Sequence, residues 1–536
     1  MSKVLYFSYK LFPLHLLRAH RVIYIMKNNK FLHIAAIILW AAQVFAEVAA
    51  GLIIWELDIL PQQYGIPLVA LLMLLALLTG MLILLGIRKS GKALPITAGC
   101  IALVLALLCG TIAFMGAQAL DTLNTITAPT QVSAIYSVYV QKDNKATKLE
   151  ELSGCRLGIL EGYDSENAAK ALSQVESVLG QVNIVPCTVI TEMINHLYNG
   201  ELDAILLNDA YLGVLDSLEE LPIYTDFSGW ARSVHEITIV EETEPTEPST
   251  EPTVESTEPS TEPEVIEEVE PFLIYLSGSD TRRETLAGFG RNDVNILAAV
   301  NPQTKQILLV NTPRDSRVEV PGKGGAVDKL THCGMLGINS SILALESIYN
   351  VDIQYYAQIN FTGFEKLINA IGGIEVYSDY EFWSLEGNCT IYKGLNQLNG
   401  RQALGFARHR KGLPGSDHTR GKHQMKVINA VVDKITTSTA LITGYSEILE
   451  SLEGMFVTTY PSENISNLVK MQLLDMSGWE IFNYAVPGGG GSEVTYFSPN
   501  KAMSMVYLYS SNVAHASRIM EALLSGMILT EKMVHP

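Results

Sequence analysis

Three long apolar stretches fill the first 120 residues, and they constrain the fold more than any other feature. Phe31–Ile54 is broken only by His33, Gln43 and Glu47, Ile66–Ile87 carries no charge, and Ala93–Leu120 is nearly as clean. Each is long enough, as a helix, to cross about 30 Å of hydrocarbon. A cleaved signal peptide has a shorter apolar core, so residues 31–120 read as three retained transmembrane helices. They account for a chain of 536 residues that is 48% hydrophobic and only 17% charged. A single small soluble domain and a wholly disordered protein are both excluded.

Basic residues orient the spans, because Lys and Arg collect on the cytoplasmic side. A tail over 1–30 carries Lys3, Lys10, Arg18, Arg21, Lys27 and Lys30, and the second turn carries Arg88, Lys89 and Lys92. Trp55–Tyr64 has neither Lys nor Arg but holds Glu56 and Asp58. The N-terminus is therefore expected in the cytoplasm and everything after about residue 120 outside, with the lipid bilayer as a partner. Glu47 reads either as a functional intramembrane acid or as a structural carboxyl facing another helix. Met26 directly precedes the first span and is an alternative start to Met1.

The net charge of −19 is uneven. Residues 241–270 hold twelve Glu and no Lys, Arg or Asp, so the other 506 residues carry only −7. No basic stripe points to nucleic acid. The same segment repeats Thr-Glu-Pro, and proline with like charge opposes compaction, so 241–270 reads as a disordered linker. Fully extended, it would reach roughly 90 Å at ~3.1 Å per residue.

Two folded units flank the linker. Over 132–240, strand and helix patterns alternate: Arg156–Leu160, a helix Ser165–Leu179 capped by Ser165 with Ala168, Ala169, Leu172 and Val175 on its inner face, then Val182–Val185, Thr191–Tyr198 and Leu202–Leu207. This predicts a small extracellular α/β accessory domain. Over 271–530 the pattern predicts a large α/β domain with a mixed central sheet flanked by helices. Pro271–Gly278, Asp293–Val300 and Gln306–Asn311 are strands, Cys333–Tyr349, Asn399–Ala407 and Thr419–Ile435 are helices, and Gly488–Gly491 is a flexible loop. Of six cysteines, Cys155 with Cys187 and Cys333 with Cys389 share extracellular domains, where an oxidising exterior permits disulfides.

Taken as an antiparallel meander, the first three strands bring Asp280, Asp293 and Arg314 to one rim of the sheet, with Arg291 beside them. Two carboxylates suit Mg²⁺, which combines one or two protein acids with ligand phosphate oxygens. Arginine forks suit phosphate. The bland alternative is a set of surface ion pairs. A second basic group, Arg408-His409-Arg410, follows the 399–407 helix. Asp417 follows a Gly-Leu-Pro-Gly turn, and Arg420 and Gln424 lie four apart on the next helix.

These motifs resemble the catalytic domain of the LytR-CpsA-Psr (LCP) family over 273–430. The matching runs are Leu276-Ser-Gly-Ser-Asp280, Arg291-Asn-Asp293, Thr312-Pro-Arg-Asp315, Asp328-Lys-Leu-Thr331, Leu398-Asn-Gly400, Ala403-Leu404, Arg408-His-Arg410 and Asp417-His-Thr-Arg420 followed by Gln424. Three spans and an accessory domain resemble the capsule-type members, whereas the Thr-Glu-Pro spacer departs from the family. The resemblance implies a phosphotransferase of the bacterial cell membrane. It would attach a polyprenyl-pyrophosphate-linked glycan, capsular polysaccharide or teichoic-acid-like, to peptidoglycan in cell wall biogenesis, with pyrophosphate hydrolysis as a side activity. It maps Asp280 and Asp293 to a Mg²⁺ site. It maps Arg291, Arg314, Arg408, Arg410, Arg420, Gln424 and Lys329 to pyrophosphate binding, and Arg291 or Asp417 to assisting deprotonation of the acceptor. A binding regulator that holds lipid-linked glycan without turnover stays open as the alternative. A hydrolase using His409, His418 and His423 matches no zinc spacing, and a serine esterase has no nucleophile elbow.

Overall fold

Asn301 shows how local chemistry builds the large domain. Its Oδ1 accepts the backbone N–H groups of Gln303 and Thr304 at 3.0 and 3.1 Å, closing a tight turn between strands β7 (Asn292–Asn301) and β8 (Gln306–Asn311). Strand β6 (Phe272–Ser279) pairs antiparallel with β7, Phe272 facing Val300, so the expected meander is present. Tyr355–Asn360 adds in parallel beside β6, Glu480–Ala485 in parallel beside β8, and Phe456–Thr458 closes the outer edge antiparallel. The result is a six-stranded mixed sheet. β8 is buried along its whole length, which is why Gln306–Asn311 reads as a nearly continuous apolar run. Leu273, Tyr275, Leu297 and Leu308 pack with Leu345 and Tyr349 of the Ile338–Tyr349 helix and Met520 and Leu523 of the Ser510–Leu524 helix.

The computed structural model describes residues 5–89, 92–127, 131–180, 182–215, 222–242, 268–280, 285–286, 288–415, 417–437 and 444–536, with side chains described except at 5–29, 131–132, 222 and 241–242. Most of the 241–270 spacer, and the side chains of the 1–30 tail apart from Lys30, therefore lie outside the described residues.

The first sheet spans 131–242. Its strands β1 (Gln131–Gln141), β2 (Arg156–Leu160), β3 (Asn183–Cys187), β4 (Ala204–Asn208) and β5 (Ala231–Glu242) run in the order β3-β2-β4-β1-β5. β2 is parallel to both neighbours. The Ser165–Leu179 helix has the expected bounds, but Asp164 is its N-cap, with no side-chain capping bond, and Ser165 is already helical. Its buried stripe is Asn167, Ala171, Val175 and Leu179. That is a period-of-four row, which leaves Ala168 and Leu172 on the flank and Ala169 exposed.

Two further expectations change. Cys333–Tyr349 is not one helix. Gly337, at φ +98°, separates a short turn of helix at Leu330–Cys333 from Ile338–Tyr349. The glycine run is not a loop either: Gly488–Val494 is a strand paired antiparallel with Ala502–Leu508. At Gly491 a Cβ would lie 2.3 Å from the Tyr507 ring, so the missing side chain leaves room for an aromatic face.

All six cysteines are free. Leu160 pairs with Cys187 and Arg156 with Asn183, so Cys155 and Cys187 sit at opposite ends of adjacent parallel strands. Their separation is about 17 Å, from five residues at ~3.3 Å each and ~4.8 Å between strands, beyond the ~7 Å reach of a disulfide. Cys333 and Cys389 belong to different apolar clusters. Alkylation and mass mapping of the non-reduced protein should therefore find Cys155, Cys187, Cys333 and Cys389 all as thiols. Recovery of either bridged peptide would contradict this arrangement.

Three helices of the N-terminal unit, Lys30–Leu57, Gln62–Arg88 and Ala93–Thr127, are long and apolar enough to cross a membrane. Glu47 is buried among them. Gln43 Nε2 donates to Glu47 Oε1 at 2.7 Å, and Thr79 Oγ1 of the second helix donates to Gln43 Oε1 at 3.0 Å. The acid thus joins a polar network between helices, the structural one of its two readings.

Candidate active site

The rim of the central sheet carries the charges. A register shift between Gly278 and Ser279 ends the β6–β7 pairing as Asp280 emerges, and the Asp280 N–H donates to the Arg291 carbonyl at 3.1 Å. Such a bulge re-aims the residues at a strand end. Asp280 is ion-paired with Arg291, and Arg408 Nη2 stands 3.6 Å from its other oxygen. From β7, Asp293 accepts from Arg314 Nη1 at 2.7 Å and lies 3.4 Å from the Thr331 hydroxyl. Lys329 reaches Asp315 at 3.2 Å, and Arg420 pairs with Asp417 one turn earlier on the Asp417–Thr437 helix. Arg408 also contacts Glu386 at 2.9 Å, its guanidinium 4.1 Å from the centre of the Phe361 ring. Arg410 makes no ion pair with a described carboxylate.

The Gly400–Arg408 helix delivers two of these arginines. Its start is set by a capping box: Asn399 Oδ1 accepts from Gln402 N, and Gln402 Oε1 accepts from Asn399 N. Arg408 is then the last helical residue, and extended backbone at His409 carries the chain on to Arg410. His409 stacks on Phe382 and His423 on Phe406, each with ring centroids 4.1 Å apart. His423 Nδ1 is 3.2 Å from the Phe406 carbonyl, and burial holds this imidazole down at about 4. These two histidines support the aromatic floor beside the arginines.

Electrostatics keep the acids charged. Burial would raise Asp293, but Arg314, Arg291 and Arg420 overrule it and hold the carboxyl at about 2. Asp315 is likewise lowered, by Lys329 and Arg314 against burial. Burial, with the neighbouring Arg314 and Arg410, depresses Arg420 against the pull of Asp417 and Asp293. Arg314 Nε is buried without a hydrogen-bond partner. It faces the Asp315 carboxylate, whose Oδ2 lies 3.9 Å away.

A folded-state value below the unfolded one means that Asp293 contributes stability above about pH 3.9 and loses it as pH falls through about 2. Thermal melting of wild type should therefore decline between about pH 4 and 2. Asp293→Asn should show a shallower decline there, and identical limbs would refute this role.

Asp280, Arg291, Asp293, Arg314, Lys329, Arg408, Arg410, Arg420 and Gln424 all line one cavity of about 1090 Å³. Asp417 does not line it, although it holds Arg420 from behind. Away from the charged mouth the walls are apolar, with Val294, Ile359, Phe364, Leu404, Ile428 and Val432 among them. The sequence reading missed this interior. Its signal was available in the apolar face of residues 427–432, which follows directly after the Arg420 and Gln424 turns.

Arg291 is also held from outside the sheet. Its Nη1 donates to the Gly213 carbonyl of the accessory domain at 3.2 Å. A Cβ at Gly213 would meet Arg291 Cδ at 2.7 Å. Gly213→Ala should displace the guanidinium and lower turnover roughly tenfold. The check is steady-state kinetics beside a melting curve, and unchanged kinetics in a folded variant would remove Gly213 from the site.

Among curated proteins, the polyisoprenyl-teichoic acid–peptidoglycan teichoic acid transferase TagU of Enterococcus faecalis is 36% identical over 200 residues, covering 37% of this chain and 65% of that protein. The protein of the same name from Bacillus anthracis is 34% identical over 214 residues, covering 40% of this chain and 66% of that protein. The chain thus spans just under two thirds of the length of these relatives. Among solved structures, TagV of B. subtilis aligns at 23% identity with a TM-score of 0.42, covering 48% of this chain and 98% of that one. Residues 233–507, just over half the chain, match the LytR_cpsA_psr family model, and the chain belongs to that family.

Proposed function

We propose that this protein is a membrane-anchored phosphotransferase that moves a glycan polymer from a polyprenyl-pyrophosphate carrier to peptidoglycan. The observation that carries the reading is the continuity of the cavity, from a mouth of arginines and aspartates into an apolar interior. A ligand that fits it needs a multiply anionic head and a long hydrocarbon tail. The activity for which these relatives are named, transfer of a teichoic acid from a polyisoprenyl carrier to peptidoglycan, has that chemistry.

Asp280 and Asp293 supply carboxylate oxygens from adjacent strands to one mouth, and Asp293 stays deprotonated there. That donor set fits Mg²⁺ completed by phosphate oxygens and water. When bound, the ion would offset charge on the pyrophosphate. Arg314, Arg408, Arg410 and Arg420, which all line the cavity, would hold the phosphate oxygens. The acceptor sugar hydroxyl then attacks the glycan-bearing phosphorus, the bridging P–O bond breaks, polyprenyl phosphate leaves, and the hydroxyl proton passes to the leaving phosphate oxygen or to solvent. Such transfer depends on charge neutralisation and alignment more than on a protein nucleophile. Asp417 acts by orienting Arg420. The basic residues at 88–92 and in the 1–30 tail support an orientation with the N-terminus in the cytoplasm and the site outside.

The test is transfer of radiolabelled lipid-linked glycan to peptidoglycan by the full-length protein in vesicles. Labelled peptidoglycan should appear with wild type and Mg²⁺, and should vanish with EDTA. Binding of the lipid-linked glycan with no transfer under any divalent cation would replace this reading with that of a regulator.

A further inference from the structure

The accessory sheet has its own cavity, of about 250 Å³, separate from the charged one. Its position follows from topology. After β2 the chain crosses to β3 on one side, and β4 lies on the other side of β2 with its own exit leading away toward β5. Connections that part in opposite directions leave a crevice at the carboxyl ends of parallel strands, where ligands of α/β sheets bind. The cavity is lined there by Ile159–Ser165 after β2, by Leu206 and Asn208 of β4, and by Tyr211.

Two buried polar groups on its wall are unpartnered. Asn208, 1% exposed, uses Oδ1 to accept from Ala210 N at 3.0 Å. That bond fixes the amide orientation. Its Nδ2 then has no partner among the described residues, and neither has the hydroxyl of Tyr211, 3% exposed. An unpaired buried donor is costly to fold around unless something completes it. The Ser165–Leu179 helix points its N-terminus at the same space, and its cap makes no side-chain bond to the first amides. These donors suit a carboxylate. Beside these donors stand two acids, Glu161 and the N-cap residue itself, Asp164, which accepts from Tyr136 OH at 2.9 Å. They disfavour a simple anion and suit an ammonium group. Ile159, Ala168, Ala169, Leu172 and Leu206 leave room for a short apolar side chain. A cavity of roughly 150 Å³ already admits a benzene ring, so this one is of single-residue size.

We infer that the accessory domain binds a small free amino acid in its zwitterionic form in the crevice between β2 and β4. The carboxylate sits on Asn208 Nδ2, Tyr211 OH and the helix N-terminus, and the ammonium on Asp164 and Glu161.

Calorimetry on the full-length protein in detergent, with alanine, propionate and ethylamine as probes, tests the inference. Alanine should bind, and the two half-ligands, each lacking one charge, should bind at least about tenfold more weakly. Tyr211→Phe removes only the unpaired hydroxyl, and Asn208→Asp keeps the bond to Ala210 while removing the donor. Each should weaken alanine about tenfold or more. Tyr211→Phe should melt no lower than wild type, which separates ligand recognition from folding. Absence of alanine binding at millimolar concentration, equal affinity for propionate, or unchanged affinity in both variants would each overturn the proposal.

Discussion

Arg314→Lys should lower glycan transfer by about a hundred- to a thousandfold while leaving the fold nearly intact. Lysine keeps a positive charge beside Asp293, so the buried carboxylate is not abandoned. It loses the planar fork, and with it the Nη1 bond to Asp293. Loss of one preorganised donor to developing charge costs about that much in other enzymes. Arg314→Ala is a poorer experiment, because breaking a buried pair costs about 3–5 kcal/mol of stability and confuses folding with chemistry. Transfer within a few-fold of wild type in the lysine variant, at matched melting temperature, would show that the Arg314 fork does not engage the transferring group.

The second large effect concerns the interior. Ile428→Trp fills apolar cavity space that no described side chain occupies. If it displaces about 150 Å² of lipid tail into water, it costs ~4 kcal/mol, or about a thousandfold in affinity. The loss should fall on long-chain polyprenyl substrates. A pyrophosphate carrying only a short prenyl chain should bind the variant and wild type alike, since the charged mouth is untouched. Equal affinity for the long chain in both proteins would place the lipid elsewhere.

Much of this site was legible before any coordinates. The strands over 272–311 are short, apolar and joined by a turn that Asn301-Pro302 announces, so the meander and its shared rim followed from chain length alone. Arg408, Arg410, Arg420 and Gln424 could be placed near one another only through the family resemblance, because the intervening turn says nothing about distance. The apolar interior was hidden for a related reason. Ile359, Leu404 and Ile428 lie on three separate elements, and periodicity marks each as buried without saying whether it faces protein or empty space. Gly213 carried no signal at all. Its importance is a close approach across domains, and such contacts have no sequence period. The cysteine pairing failed because it was judged by domain membership, while parallel strand register sets the actual separation.

The hold of Gly213 on Arg291 bears on how such a chain can be cut and recombined. A fragment beginning near Val269 would keep β6, β7 and β8, yet Arg291 would keep its Asp280 pair and lose its Gly213 brace, which frees the guanidinium to turn. Crystals of that fragment would then display a mouth different from the one in the intact chain, and inhibitors fitted to it would be fitted to the wrong shape. Exchange of accessory domains between relatives meets the same obstacle. A donor domain must bring a carbonyl to the same point, with no side chain in the way. The accessory domain and the large domain are therefore expected to be inherited as a pair.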